Sequence, residues 1–191
     1  KTITDCKDVL SWGDTQQNWK RISTSRDPVS KFKVINNQKV TLKGIVTIDE
    51  SAEVIISYLF NFTSNERNNQ HVLNHGNTMR SMVYDYSSHT SHVTAELKSP
   101  PPYENRHFTA SMVWQKGFEG KPDSYVLVMM PAETDVSLTP TGAVVASTTG
   151  MFVIDTLAER VSSVTLVQTT DLNIKGTLGT LISSYAAKYS I

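Results

Sequence analysis

Apolar and polar residues alternate through most of the second half of the chain. In Val93-Thr94-Ala95-Glu96-Leu97-Lys98 the odd positions are apolar and the even ones polar, the period of two that gives a strand one dry face and one wet face. Arg106 to Gln115 alternates again, with Phe108, Ala110, Met112 and Trp114 on one face and Thr109, Ser111 and Gln115 on the other. Pro100-Pro101-Pro102 separates the two, because proline cannot donate to a ladder. Further strands are predicted over 124–130, 143–154 and 162–172, each bounded by Pro, Gly, Asp or Ser. Ahead of these, strands over 19–25, 29–35 and 39–48 with turn chemistry at Asp27-Pro28 and Asn36-Asn37-Gln38 predict an antiparallel meander.

Between the two strand runs the period lengthens. Val54, Ile55, Tyr58, Leu59 and Phe62 recur at helical spacing behind Asp49-Glu50-Ser51-Ala52-Glu53, so a helix should start near Asp49 or Ser51 and run to about Phe62. A second helical turn or a loop follows over 65–76. A short helix over 5–14 precedes the meander, and Leu178, Leu181, Ile182, Tyr185 and Tyr189 form an amphipathic helical stripe at the other end. The order is three strands, a helical segment, about six strands and a terminal helix. A long antiparallel sheet with a helix laid across its concave side buries that pattern, an α+β architecture.

Composition strengthens the sheet reading. Val, Ile and Thr number 52 against 21 for Ala plus Leu, and β-branched side chains suit a pleated surface better than a helix interior. The 191 residues contain no repeat and no low-complexity linker, so one domain is expected; it begins at Lys1 rather than Met, as an excised piece of a longer chain would.

Charge removes one class of partner. With 18 basic and 18 acidic residues interspersed, the chain lacks the concentrated positive surface that neutralising many phosphates requires, so no nucleic acid is expected. Cys6 is the single cysteine, so an intrachain disulfide is excluded and a reducing compartment fits. The longest nearly apolar run, Tyr125 to Ala132, is far shorter than the roughly 20 residues of a membrane span.

Catalytic and metal motifs are weak. His71 and His75 stand four apart and His89 and His92 follow, but Val72 occupies the position where a zinc-protease helix needs Glu, and no metal is expected. No Gly-x-Ser-x-Gly elbow occurs, Cys6 has no local His or Asn, and Gly142 and Gly150 do not make a phosphate cradle. Asn61-Phe62-Thr63 matches a glycosylation sequon at the end of a predicted helix and reads as chance. Neither a catalytic residue nor a cofactor is assigned.

Several segments taken together resemble the START family of lipid-transfer domains. They are Val40-Thr-Leu-Lys-Gly-Ile-Val-Thr-Ile-Asp49 with the Ser51-Ala-Glu-Val-Ile helix, the Pro-rich loop leading to Asn105-Arg106-His107-Phe108, the strand Ser124-Tyr-Val-Leu-Val128, and Val167-Gln-Thr-Thr-Asp-Leu172. The resemblance implies a helix-grip fold: a curved antiparallel sheet of about nine strands wrapped around a C-terminal helix, enclosing an apolar cavity. His107 stands where the family has Asp after Arg, and Met112 where sterol binders commonly carry a charge.

Through that cavity the resemblance implies non-catalytic binding of a lipid, sterol or similar ligand, for transfer between membranes or for sensing. Its lining would comprise Val93, Ala95, Leu97, Phe108, Ala110, Met112, Trp114, Leu127, Met129, Leu166 and Leu172, closed by Leu178, Ile182 and Tyr185 of the tail helix. Ser147, Gln168 and Thr170 are the candidate polar contacts, Arg106 a structural cation held by a carboxylate or carbonyls, and Tyr103 in the Ser99–Asn105 loop a candidate membrane contact. A cytoplasmic monomer that touches membranes transiently is expected. Two alternatives stay open: an enzyme of hydrolase or cyclase type using the same cavity, and a ligand-free interaction domain whose cavity has closed.

Overall fold

The computed structural model describes residues 20–21, 31–35, 39–74, 76–85, 89–133 and 140–174. The helices expected over 5–14 and at the C-terminal end, with Leu178, Ile182 and Tyr185, lie outside them. The strands are β1 (Lys20–Arg21), β2 (Lys31–Ile35), β3 (Lys39–Ile48), β4 (Met79–Asp85), β5 (Thr90–Leu97), β6 (Arg106–Phe118), β7 (Lys121–Pro131), β8 (Val144–Ala158) and β9 (Val161–Asp171). Helices α1 (Ala52–Phe60) and α2 (Asn65–Asn69) fall between β3 and β4, and α2 continues into one π-helical turn over Gln70–Asn74.

All strands join one sheet in the order β1-β2-β3-β9-β8-β7-β6-β5-β4. Two meanders meet where β3 pairs with β9, Leu42 opposite Gln168 and Val46 opposite Val164. The connection from β3 to the edge strand β4 must therefore cross the width of the sheet, and it does so through α1 and α2. Ser51 starts α1 by accepting from Val54 N at 3.3 Å, and Ser162 Oγ donates to Glu50 O at 2.8 Å, which ties this corner to the β8–β9 hairpin.

One departure from pure antiparallel pairing shapes the sheet. β7 ends at Pro131, and beyond it Arg106, His107 and Phe108 of β6 pair in parallel with Val144, Val145 and Ala146 of β8. The sheet thus loses a strand at that end and narrows, adding curvature to the intrinsic twist.

Parity along the strands assigns the concave face. Ala52, Ile55 and Ile56 of α1 pack there against Ala110, Met112, Tyr125, Leu127, Ile154 and Val164. On the opposite face Val126, Val128, Met151 and Val153 form a second buried cluster, joined by Phe118 after a bulge between Lys116 and Phe118 reverses the parity of β6. Ser124 to Val128 are therefore buried on both faces, which is why that run is nearly continuous in apolar residues.

His107 also lies buried, paired with Glu96 across β5 and β6, and its Nδ1 has no partner among the described residues. Burial holds its imidazole below the ordinary histidine range, opposed by the Glu96 carboxylate. The unfolded chain therefore binds the proton first: this contribution to stability is complete above about pH 6.5 and is lost as pH falls towards the folded-state value, by at most about 1.4 kcal/mol per pH unit. His107→Asn is expected to flatten that part of the profile, read as urea midpoints at pH 7.5 and 5.5. An unchanged difference between the two midpoints would assign the pH dependence elsewhere.

Candidate functional site: an apolar cavity on the concave face

The concave side of the sheet that α1 leaves uncovered borders a half-open cavity of about 1030 Å³. That volume is at the top of the about 300–1,000 Å³ usual for small-molecule sites. β5 contributes Val93, Ala95 and Leu97; β6 contributes Phe108, Ala110 and Met112; β7 contributes Leu127 and Met129; and β9 contributes Leu166, Gln168 and Thr170, with Leu172 just past its end. β3 adds Val40, Leu42, Val46 and Ile48, whose even-numbered alternation marks a strand face but carries no signal of a site, and Phe152, Ile55 and Leu59 complete much of the wall.

Two expected lining residues fall elsewhere. Trp114 shares the concave face but sits beyond the cavity under α1, near Phe60 and Tyr125 and stacked on His89 at 4.6 Å. Ser147 is one residue out of phase: Thr148 pairs with Thr170 and Gly150 with Gln168, so the even residues of β8 face inward and Thr148 lines the cavity instead.

Thr148, Gln168 and Thr170 form a polar cluster on the β8–β9 part of the wall. Gln168 Nε2 donates to Thr148 Oγ1 at 3.0 Å and to Thr170 Oγ1 at 3.2 Å. This spends the amide nitrogen within the protein and leaves its carboxamide oxygen to meet a hydroxyl. Gly150 between them keeps the wall low, since a methyl there would touch Gln168 and Met129 at 3.5 Å.

Arg106 is 3% exposed and also reaches the cavity, with its bonds directed to backbone. Nε donates to Leu172 O at 2.6 Å and Nη1 to the carbonyls of Glu104 and Asn105. It is thus the carbonyl-bound structural cation, fastening the Pro-rich loop to the end of β9. Burial lowers its pKa, opposed by Glu104. Ser99 and Pro100 border the cavity, while the half-buried Tyr103 ring packs on Phe108, Ala146, Leu172 and Ile174.

His71 is fully engaged in structure. Nε2 meets the carbonyls of Met79 and Glu96 at 2.9 and 3.1 Å, and Asn77 Nδ2 lies 3.3 Å from Nδ1. His75 is outside the described residues, among which no three His, Cys, Asp or Glu side chains gather as a metal site would require. No described helix is long and apolar enough to cross a membrane.

Solved structures share this fold. Human STARD10 superposes with a TM-score of 0.75 at 11% identity, over 99% of this chain and 74% of that one. The fold is that of the START domains. Human StarD13 (TM-score 0.64, 16% identity, 98% of this chain and 96% of that one) and human StAR-related lipid transfer protein 5 (TM-score 0.66, 10% identity, 96% and 86%) are similar to this chain in fold as well. No protein-family model and no curated protein matches the sequence.

Proposed function

We propose that this chain binds one lipid, sterol or similar elongated apolar molecule in the concave-face cavity, for transfer between membranes or for sensing, with no covalent step. The observation that carries this reading is the cavity itself: about 1030 Å³ walled mainly by aliphatic, aromatic and methionine side chains. An unfilled apolar volume of that size forfeits packing throughout its lining, whereas an apolar ligand gains roughly 25 cal/mol per Å² buried. Met112 and Met129, paired across β6 and β7, supply a wall that adapts to a flexible chain. The START fold supports the reading, since StarD13's matched region is described as a lipid transfer and protein localization domain and the third relative as a lipid transfer protein. The Ser99–Asn105 loop with Tyr103 would be the part that touches a membrane surface transiently, and a cytoplasmic monomer suits such a carrier.

Native mass spectrometry of the protein purified from a lipid-containing host tests this. A stoichiometric lipid adduct, identified after release, is the expected result. Protein that stays empty after exposure to liposomes and a broad lipid panel would overturn the reading, in favour of a closed interaction domain or an enzyme for a small polar substrate.

A further inference from the structure

The charged groups that border the cavity are unbalanced. Among the described residues, Arg67, Arg80, Lys98 and Arg106 line it against one carboxylate, Glu50, which already meets Arg160 at 3.3 Å. Arg106 is occupied by backbone carbonyls. Arg67 and Arg80 form a distinct group at the α2–β4 end, where both guanidiniums lie on the ring of Phe62, at 5.4 and 3.6 Å from its centroid. Their central carbons are therefore separated by no more than the sum of those distances.

Half of this pair has a structural explanation. Arg67 Nη1 donates to Tyr58 O at 3.1 Å and Leu59 O at 2.5 Å, capping the last turn of α1, where carbonyls lack helical partners and the helix dipole favours a cation. Arg80 is less well satisfied. Its Nη1 lies 3.5 Å from Arg67 O, the outer limit of a hydrogen bond, and its buried Nε has no partner among the described residues. No carboxylate pairs with either arginine among the described residues. Burial, and then the neighbouring Arg67, push the Arg80 pKa down to about 9, opposed by Tyr58; both arginines nevertheless remain charged at neutral pH.

Two adjacent desolvated cations without a counter-ion are costly, and the cost is recovered when an anion binds both. Guanidinium forks match the oxygens of phosphate and carboxylate groups. We propose that the Arg67–Arg80 end of the cavity is an oxyanion site, which selects ligands carrying an acidic head group on an apolar chain. This rests on the lipid-binding reading and names its ligand class: the chain lies along the Val93, Ala110 and Met112 wall and the head group lies on the arginine pair.

The test presents phosphatidic acid, oleate, phosphatidylcholine and diacylglycerol with matched acyl chains at 0.15 M salt. Captured lipid is counted by native mass spectrometry after vesicles are removed, so that attraction to a charged membrane surface does not count as capture. The expected result is at least tenfold preference for an acidic ligand over the neutral ones, and a rise in Tm with that ligand alone. Preference for phosphatidic acid or for oleate tells whether the oxyanion is a phosphate or a carboxylate. Arg67→Gln/Arg80→Gln should lose the preference while still capturing neutral lipid; Arg80→Gln alone, which leaves the α1 cap intact, should lose most of it if the double variant does not fold. Capture of all four lipids with equal efficiency by the wild-type protein would overturn the oxyanion site and leave lipid binding standing. Capture of none would overturn both.

Discussion

Met112→Trp is expected to empty the cavity, lowering lipid occupancy at least tenfold while the protein stays folded. Met112 is 2% exposed, sits mid-strand on β6 with Met129 opposite it on β7, and lines the cavity two residues along from Ala110. An indole there has room only in the volume a ligand chain would take. Overpacking elsewhere in a core typically costs about 1–3 kcal/mol, and here the cavity relieves part of that. Met112→Leu, which nearly conserves volume, should bind as the wild type does. Occupancy can be read as co-purified lipid and as displacement of a fluorescent acyl probe, with thermal unfolding as the control for folding. Full occupancy in Met112→Trp with normal stability would move the ligand out of this cavity.

The same wall shows how far periodicity reaches. On β5 and β6 alternation contrasts Val, Ala, Leu, Phe and Met with Thr, Ser and Glu, so the inward set Val93, Ala95, Leu97, Phe108, Ala110 and Met112 is legible in the residues alone. On β8 the stretch Ala146-Ser147-Thr148-Thr149 has no such contrast, and its phase comes from pairing with β9, which places Thr148 inward instead of Ser147. Trp114 shows a second limit: periodicity gives the face, whereas position along the strand relative to α1 decides between core and cavity. The helix itself is legible through the Ser51 cap and ends two residues earlier than its apolar stripe suggests, at Phe60, with Asn61 as its C-cap. Arg67 and Arg80 are not legible as a pair. They are 13 positions apart on different elements, and Phe62 brings them together only once the β3–β4 connection has crossed the sheet. The parallel contact between β6 and β8 is hidden for a similar reason, since it depends on where β7 stops.

Arg106→Met is expected to destabilise the domain by about 3 kcal/mol, because the Leu172 and Glu104 carbonyls lose their buried donor at about 1–3 kcal/mol each, offset partly by no longer burying a charge. At this chain length that is a fall in Tm of roughly 6–12 °C, measurable by calorimetry. The side chain joins three pieces of backbone that sequence separates: the Pro-rich loop at Glu104, the start of β6, and Leu172 just past β9. One planar fork spans them, because Nε and Nη1 point in fixed and different directions. Arg106→Lys tests whether charge or shape matters. A lysine ammonium keeps the buried charge, has one nitrogen, and cannot reach all three segments, so it should be at least as destabilising as methionine. Near-wild-type stability in Arg106→Lys would show that the charge alone holds this end of the sheet. Equal loss in both variants, with the Pro-rich loop cleaved more readily by protease, would show that the fork fixes the loop, and with it the end of the cavity bordered by Ser99 and Pro100.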